Sequence, residues 1–170
     1  MLIKEGLINR EQLEKAIAAQ NKEGGRLGEV LVKLGMVKEE QVVSVLGKQL
    51  GIPYFSLGTG MLRPAVDQGL EELISKDFAA KNIVLPLSRT LKSLTCTMYD
   101  PLDLILIDNL KKLSGCEINP VIATKSDIMK AIDEFYGKTS LFKEAVEASY
   151  ETPIESAAEE TEIDEELSLD

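Results

Sequence analysis

The sequence predicts an α+β fold: a helical-hairpin repeat of four helices over residues 1–52, a small three-stranded sheet with flanking helices over 61–137, and a disordered acidic tail over 138–170. Three observations carry this reading. The first 50 residues contain a repeat with a period of 29. Strand-like alternation of apolar and polar residues begins only after residue 82. The charge is uneven, with eleven acids against two lysines from Lys138 to Asp170 and 17 basic against 18 acidic residues before them.

The repeat pairs Leu2 with Leu31, Ile3 with Val32, Lys4 with Lys33, Gly6 with Gly35, Leu7 with Met36, Ile8 with Val37, Gln12 with Gln41, Leu13 with Val42, Ile17 with Leu46 and Gln20 with Gln49. Each copy reads as a short helix ended by glycine, a two-residue apolar link, and a longer helix closing in glutamine. Gly6 and Gly35 stand where a helix C-terminus favours a left-handed residue. Asn9 with Gln12 makes a capping-box start for a helix to about Lys22, and Leu13, Ala16, Ile17 and Gln20 share its face. Gly24-Gly25 breaks the chain before a new helix near Arg26. Lys38 is a poorer cap than Asn9, and Gly51 and Pro53 end the fourth helix.

In the second unit a helix is expected over 71–80, then two strands over 82–88 and 91–99 joined by a tight turn near Arg89-Thr90. Leu94, Cys96 and Met98 fall on one face of the hairpin, and Ser93, Thr95 and Thr97 on the other. Asp100-Pro101-Leu102-Asp103 reads as a helix start, with Asp100 as N-cap and Pro101 at the first helical position, and its helix stops at Gly115. A short strand over 118–122 follows, and Thr124-Lys125-Ser126-Asp127 opens a last helix that is expected to end at Gly137. The tail beyond it is self-repelling and poor in apolar residues, which leaves too little burial to offset ordering entropy. Its linker-like end also leads us to expect a piece of a longer protein.

Composition removes most enzyme classes. The 170 residues include no histidine, so there is no Ser-His-Asp or Cys-His relay, no HExxH zinc site and no imidazole acid or base. Cys96 and Cys116 lie too far apart in sequence for a CxxC motif and read as structural thiols. No GxxxxGK[ST] loop occurs, and Gly58-Thr59-Gly60-Met61-Leu62-Arg63 lacks the third glycine of a dinucleotide fingerprint. Asp100 and Asp103 are explained by capping, without a metal or acid-base role. We therefore expect no enzyme, no catalytic residue and no metal site. A near-neutral body without a Lys/Arg cluster argues against DNA as a partner. No apolar run approaches the roughly 18 residues that span a bilayer, and Met1-Leu2-Ile3-Lys4-Glu5 lacks the features of a secretory signal, so a cytoplasmic protein without membrane insertion is expected.

One motif carries binding chemistry. Arg26-Leu27-Gly28 places an arginine, a small glycine and the free N–H groups of a helix start within one turn, an arrangement suited to phosphate. The guanidinium can also stack on a purine, with Leu27, Leu31 and Met36 as apolar neighbours.

The run Arg26-Leu27-Gly28-Glu29-Val30-Leu31-Val32-Lys33-Leu34-Gly35-Met36-Val37, continuing through Gln41-Val42 and Leu46 to Gln49, resembles the RLGxxLxxxG(L/I)(L/I)...Q repeat of N-terminal domains of type II secretion and type IV pilus assembly ATPases. Tandem 24-residue copies with a five-residue spacer form the cyclic di-GMP-binding module known as the MshEN domain, and Asn21 to Gly25 supplies that spacer here. The second unit is similar to the family's downstream subdomain in Val84-Leu85-Pro86-Leu87, Tyr99-Asp100-Pro101-Leu102-Asp103, Val121-Ile122-Ala123-Thr124 and Ala131-Ile132-Asp133-Glu134-Phe135-Tyr136-Gly137.

The resemblance implies a regulatory, non-catalytic domain with cyclic di-GMP as ligand and no resident cofactor. It implies ligand contacts from Arg26, Leu27, Gly28, Leu31, Gly35, Met36 and Gln49 of the second copy and Leu2, Gly6, Leu7 and Gln20 of the first. The implied partners are a C-terminal ATPase domain of the same full-length protein and the cytoplasmic part of an inner-membrane secretion or pilus protein. That places the protein in the cytoplasm, peripheral to the inner membrane through its partners. The first copy begins at Met1, which aligns with Val30, so its own Arg-Leu-Gly is missing from the sequence. Either the start lies upstream or dinucleotide binding is weakened, since one charge-assisted contact contributes about 1.5–3 kcal/mol. The alternative function is a docking domain that anchors the ATPase to the inner-membrane component without binding nucleotide.

Overall fold

The computed structural model describes residues 1–150. In chain order these form α1 (Arg10–Glu23), α2 (Leu27–Lys33), α3 (Glu39–Leu50), α4 (Leu70–Leu73), α5 (Lys76–Asn82), β1 (Val84–Arg89), β2 (Ser93–Met98), α6 (Leu104–Ser114), β3 (Glu117–Ile122) and α7 (Lys125–Tyr150). The fold is α+β, with the helical repeat preceding a three-stranded sheet and its helices.

The two repeat copies are built alike. In the first, the Leu7 N–H donates to the Leu2 carbonyl at 3.1 Å, and in the second the Met36 N–H donates to Leu31 at 3.0 Å. Each bond closes over a left-handed glycine, Gly6 at φ 69° and Gly35 at φ 70°, which is the Schellman way of ending a helix. The Asn9 carboxamide oxygen accepts the Gln12 backbone N–H at 2.8 Å and the Asn9 backbone N–H donates to Gln12 Oε1 at 2.9 Å, completing the capping box that opens α1. Lys38 has no acceptor to offer, and only the return bond is made, from its N–H to Gln41 Oε1 at 2.9 Å. The copies differ at their starts. The first of the four expected helices is a single turn, with the Glu5 N–H bonded to the Met1 carbonyl at 3.0 Å. Ile8, Ala16, Val30, Leu31 and Val37 form the core of this unit.

The sheet has the order β1-β2-β3, antiparallel between β1 and β2 and parallel between β2 and β3. Pro86 and Pro120 both lie on outer strands, where a missing N–H is tolerated. The strands pack against α6 and α7 through a second core that includes Leu85, Leu94, Met98, Leu110, Ile128 and Ile132. Strand β2 alternates as expected except that Thr97 is fully buried rather than outward, while β1 is buried continuously from Val84 to Leu87. Its register neighbours Leu85 and Val121 are buried too, so both faces are covered at this end of the sheet.

Three boundaries differ from the sequence reading. The helix expected over 71–80 is two, because Ile74 is extended and Ser75 starts α5 by accepting the Phe78 N–H at 3.3 Å. The N-cap of α6 is Asp103, which accepts the Leu106 N–H at 3.0 Å, and not Asp100. Asp100 instead forms a turn, accepting the Leu102 N–H at 3.1 Å, and Pro101 lies in that turn. Two aspartates three residues apart compete to cap, and Asp100 is held by an arginine of the repeat unit.

The last correction concerns Gly137, which does not end α7; the helix continues to Tyr150. Residues 138–150 are therefore helical, not disordered tail, and the expectation for 151–170 lies outside the described residues. An interior glycine costs about 1 kcal/mol against alanine. Opposing part of that cost is a Glu134–Lys138 ion pair at 2.6 Å. No helix among the described residues is long and apolar enough to cross a membrane.

The repeat unit is joined to the sheet unit along β3. After α3 the chain runs beside its outer edge, where the Ile122 N–H donates to Pro53 and the Phe55 N–H donates to Ile122, both at 2.9 Å. Gly47 makes this approach possible, since a Cβ there would sit 2.9 Å from the Ile52 carbonyl oxygen and 3.2 Å from Ile122 Cγ2.

Candidate functional site

A groove of about 810 Å³ opens between the two repeat copies and the end of β2. That size suits a drug-sized or dinucleotide ligand. Its floor is apolar, with Leu2, Ile8 and Leu13 from the first copy and Leu27, Val42 and Leu46 from the second. Gly28 lines it and also sets its shape, because a Cβ there would lie 2.7 Å from Val42 Cγ1. Only glycine lets α2 come this close to α3. Gln49 closes one end, at the last turn of α3.

The polar rim carries one cation and two carboxylates: Arg26, Glu29 and Asp100. The Arg26 guanidinium donates through Nη2 to Asp100 Oδ2 and stands 5.9 Å from the centre of the Tyr99 ring, at the outer limit of cation–π contact. The Tyr99 hydroxyl in turn donates to Glu29 Oε1 at 2.8 Å, and Glu29 Oε2 accepts the Arg26 backbone N–H at 3.5 Å. The hydrogen bond to Asp100 pushes the Arg26 pKa above its usual value, so the cation is permanent. Burial, followed by the bond to Glu29, pushes the Tyr99 phenol up and keeps it a donor. Arg26 remains half exposed, and a guanidinium has five N–H donors, so one carboxylate leaves several free for an incoming anion or a purine edge.

Of the residues the sequence proposes for the site, the structure brings Arg26, Leu27, Gly28, Gln49 and Leu2 to the groove. Leu31 is fully buried beneath it, in the small core. Gly6 and Gly35 end helical segments, Leu7 and Met36 pack against the core, and Gln20 Nε2 donates to the Gly25 carbonyl at 2.9 Å; none of these lines the groove. Sequence reasoning missed Tyr99, Asp100 and Leu102 as lining residues. A signal was available: they follow the C-terminal end of a strand that pairs in parallel, where open sheets place their ligands.

The MshEN domain family model matches residues 50–140. The chain belongs to the MshEN domain family. The match covers the sheet unit and the first part of α7, while the tandem repeats lie before it. The type IV pilus assembly ATPase PilB of Myxococcus xanthus is 36% identical over 166 residues, covering 97% of this chain but 29% of its own length. The PilB of Thermus thermophilus is 30% identical over 140 residues, covering 82% of this chain and 16% of its own length. This MshEN chain thus spans less than a third of the curated relatives it matches.

Among solved structures, that of MshE with cdg, the cyclic di-GMP ligand, superposes with a TM-score of 0.67 at 31% identity, over 79% of this chain and 95% of that one. The N-terminal domain of XpsE shares the fold, with a TM-score of 0.59 at 22% identity over 78% of this chain and 88% of that one.

Proposed function

We propose that this MshEN domain is the regulatory N-terminal part of a type IV pilus or type II secretion ATPase, and that it binds cyclic di-GMP in the groove between its repeats. The observation that carries this reading is the meeting of Arg26, Gly28 and Gln49 on one apolar groove of suitable size. The likeness to MshE with cdg supports the choice of ligand. In this reading the free N–H groups of Arg26 meet a phosphate or guanine edge, and the Leu2, Leu27 and Leu46 side chains cover base and ribose. The domain performs no chemistry of its own. Its partner is the ATPase domain of the same full-length protein, which lies on the cytoplasmic face of the inner membrane.

Titration calorimetry with cyclic di-GMP tests the reading, with cyclic di-AMP as competitor. Micromolar or tighter binding is expected, weakened roughly ten- to a hundred-fold by Arg26→Ala, the usual cost of one charge-assisted contact. Absence of heat, or equal binding by the variant, overturns it.

A second reading is favoured by one specific observation. Leu102, which lines the groove, and Leu104 and Ile105 at the start of α6 are 61%, 71% and 76% exposed, three large apolar side chains close together in sequence. In that reading the domain docks the ATPase on the cytoplasmic part of an inner-membrane assembly protein without needing nucleotide. Retained docking in Arg26→Ala, together with loss in Leu104→Asp, would favour it.

A further inference from the structure

Helix α3 has two working faces. One lines the groove through Val42, Leu46 and Gln49. The other lies against the place where β3 turns into α7. At its C-terminal end the contact is the close approach of Gly47 to Ile122 and the paired bonds between Ile122 and the 53–55 segment. At its N-terminal end it is a single side chain, Glu39. The Lys125 backbone N–H donates to Glu39 Oε1 at 2.7 Å, and the Ser126 hydroxyl donates to Oε2 at 3.0 Å.

These are groups that α7 cannot satisfy for itself. The first N–H groups of a helix have no partner inside it, and the helix dipole favours a negative charge at that end. Thr124 supplies the local cap, accepting the Asp127 N–H at 3.1 Å, and Glu39 supplies a carboxylate acceptor from 86 residues away. Asp127 faces the other way and accepts the Leu57 N–H at 3.1 Å. The first turn of α7 is therefore completed jointly, by Thr124 beside it and by Glu39 of α3.

We propose that Glu39 is a positioning residue that couples the groove to α7, so that a change at α3 on ligand binding is felt at the first turn of the helix leading out of the domain. The coupling rests on the cyclic di-GMP reading for its ligand but not for its geometry. Helix α7 runs ten residues beyond the end of the family match at 140, in the direction of the rest of the chain. A regulatory signal that leaves along the polypeptide passes through this helix, and Glu39 is the groove-bearing element's hold on its start.

The experiment is amide hydrogen exchange, read by mass spectrometry over residues 125–132, on the 170-residue chain with and without cyclic di-GMP. Wild type is compared with Glu39→Gln, Glu39→Ala and Ser126→Ala, with Glu40→Ala as a neighbouring control. Without ligand, Glu39→Ala is expected to speed exchange in the first turn of α7 at least tenfold while the β2 amides stay protected. Ser126→Ala should produce a smaller increase in the same peptides. With ligand, wild type should change its protection in 125–132. Glu39→Gln and Glu39→Ala should bind within about threefold of wild type by calorimetry yet lose that change.

Unchanged exchange in ligand-free Glu39→Ala overturns the proposal, as does a wild-type α7 that ignores bound ligand. Survival of the α7 response in the Glu39 variants also overturns it. Absence of binding heat in wild type overturns the cyclic di-GMP reading instead, and the ligand-free comparison still decides whether Glu39 holds the start of α7.

Discussion

The repeat unit closes around five buried apolar residues, whereas the sheet unit closes around nineteen. Both units mix well-capped helices with poorly capped ones, α1 beside α3 and α5 beside α4, so the difference lies in burial. The repeat unit spends much of its apolar surface on a groove, leaving Leu2, Leu13 and Leu27 only partly covered. Burial of a leucine contributes about 1.5–3 kcal/mol, and a unit that leaves several half-open holds its shape on a narrow margin. Such a unit gains stability from whatever fills the groove. The sheet unit, by contrast, is finished without a ligand.

The sharpest test makes equal truncations in the two cores. Leu31→Ala and Leu110→Ala each remove a fully buried leucine and should each cost about 2–5 kcal/mol. In the repeat unit that loss is expected to open α1 to α3 while the sheet stays folded, visible as exchange of the 10–50 amides alone. In the sheet unit it should lower the main thermal transition. A single cooperative loss in both variants would show the two units to be one body. Next in size is Gly28→Val, which drives a side chain into Val42 and should cost about 1–3 kcal/mol by calorimetric melting. It should also close part of the groove, and so weaken cyclic di-GMP more than it destabilises the sheet.

The sheet unit carries its own signature at alkaline pH. Burial pushes the Cys96 thiol up to about 12. In the unfolded chain a thiol ionises near 8.5, so the unfolded state gives up its proton first. The Cys96 contribution is fully present below that pH and is lost as pH rises towards 12. Denaturant melts from pH 8 to 11 should show this decline, and Cys96→Ala should flatten it. The smallest expected effect is a gain. The Thr97 hydroxyl is buried without a partner, and Thr97→Val should raise stability by about 1 kcal/mol.

Legibility in the sequence followed the same division. The repeat was readable because its period, its glycines and its Asn9–Gln12 box are local signals, and the paired bonds over Gly6 and Gly35 repeat faithfully in space. The strands were readable from alternation. What failed were positions decided at a distance. Asp100 reads as a cap until Arg26, 74 residues away, is seen to hold it. Gly137 reads as a stop until the Glu134–Lys138 pair that spans it is counted. The groove was half legible: Arg26 and Gly28 announce themselves in a motif, whereas Tyr99 and Leu102 reach it only because the sheet turns its strand ends towards the repeats. The two copies use one motif position differently: Leu2 lines the groove, whereas its counterpart Leu31 is buried in the core beneath it.

The unbroken course of α7 through Gly137 also has a mechanical meaning. Its 26 residues make a rod of about 39 Å, at 1.5 Å per residue. A rotation of the sheet unit by about 10° about the Ile122 junction would sweep the far end of such a rod through roughly 7 Å. A glycine stop at 137 would have halved the arm. As built, α7 is a long arm seated on the sheet unit, and a small turn at its base becomes a several-fold larger displacement at Tyr150.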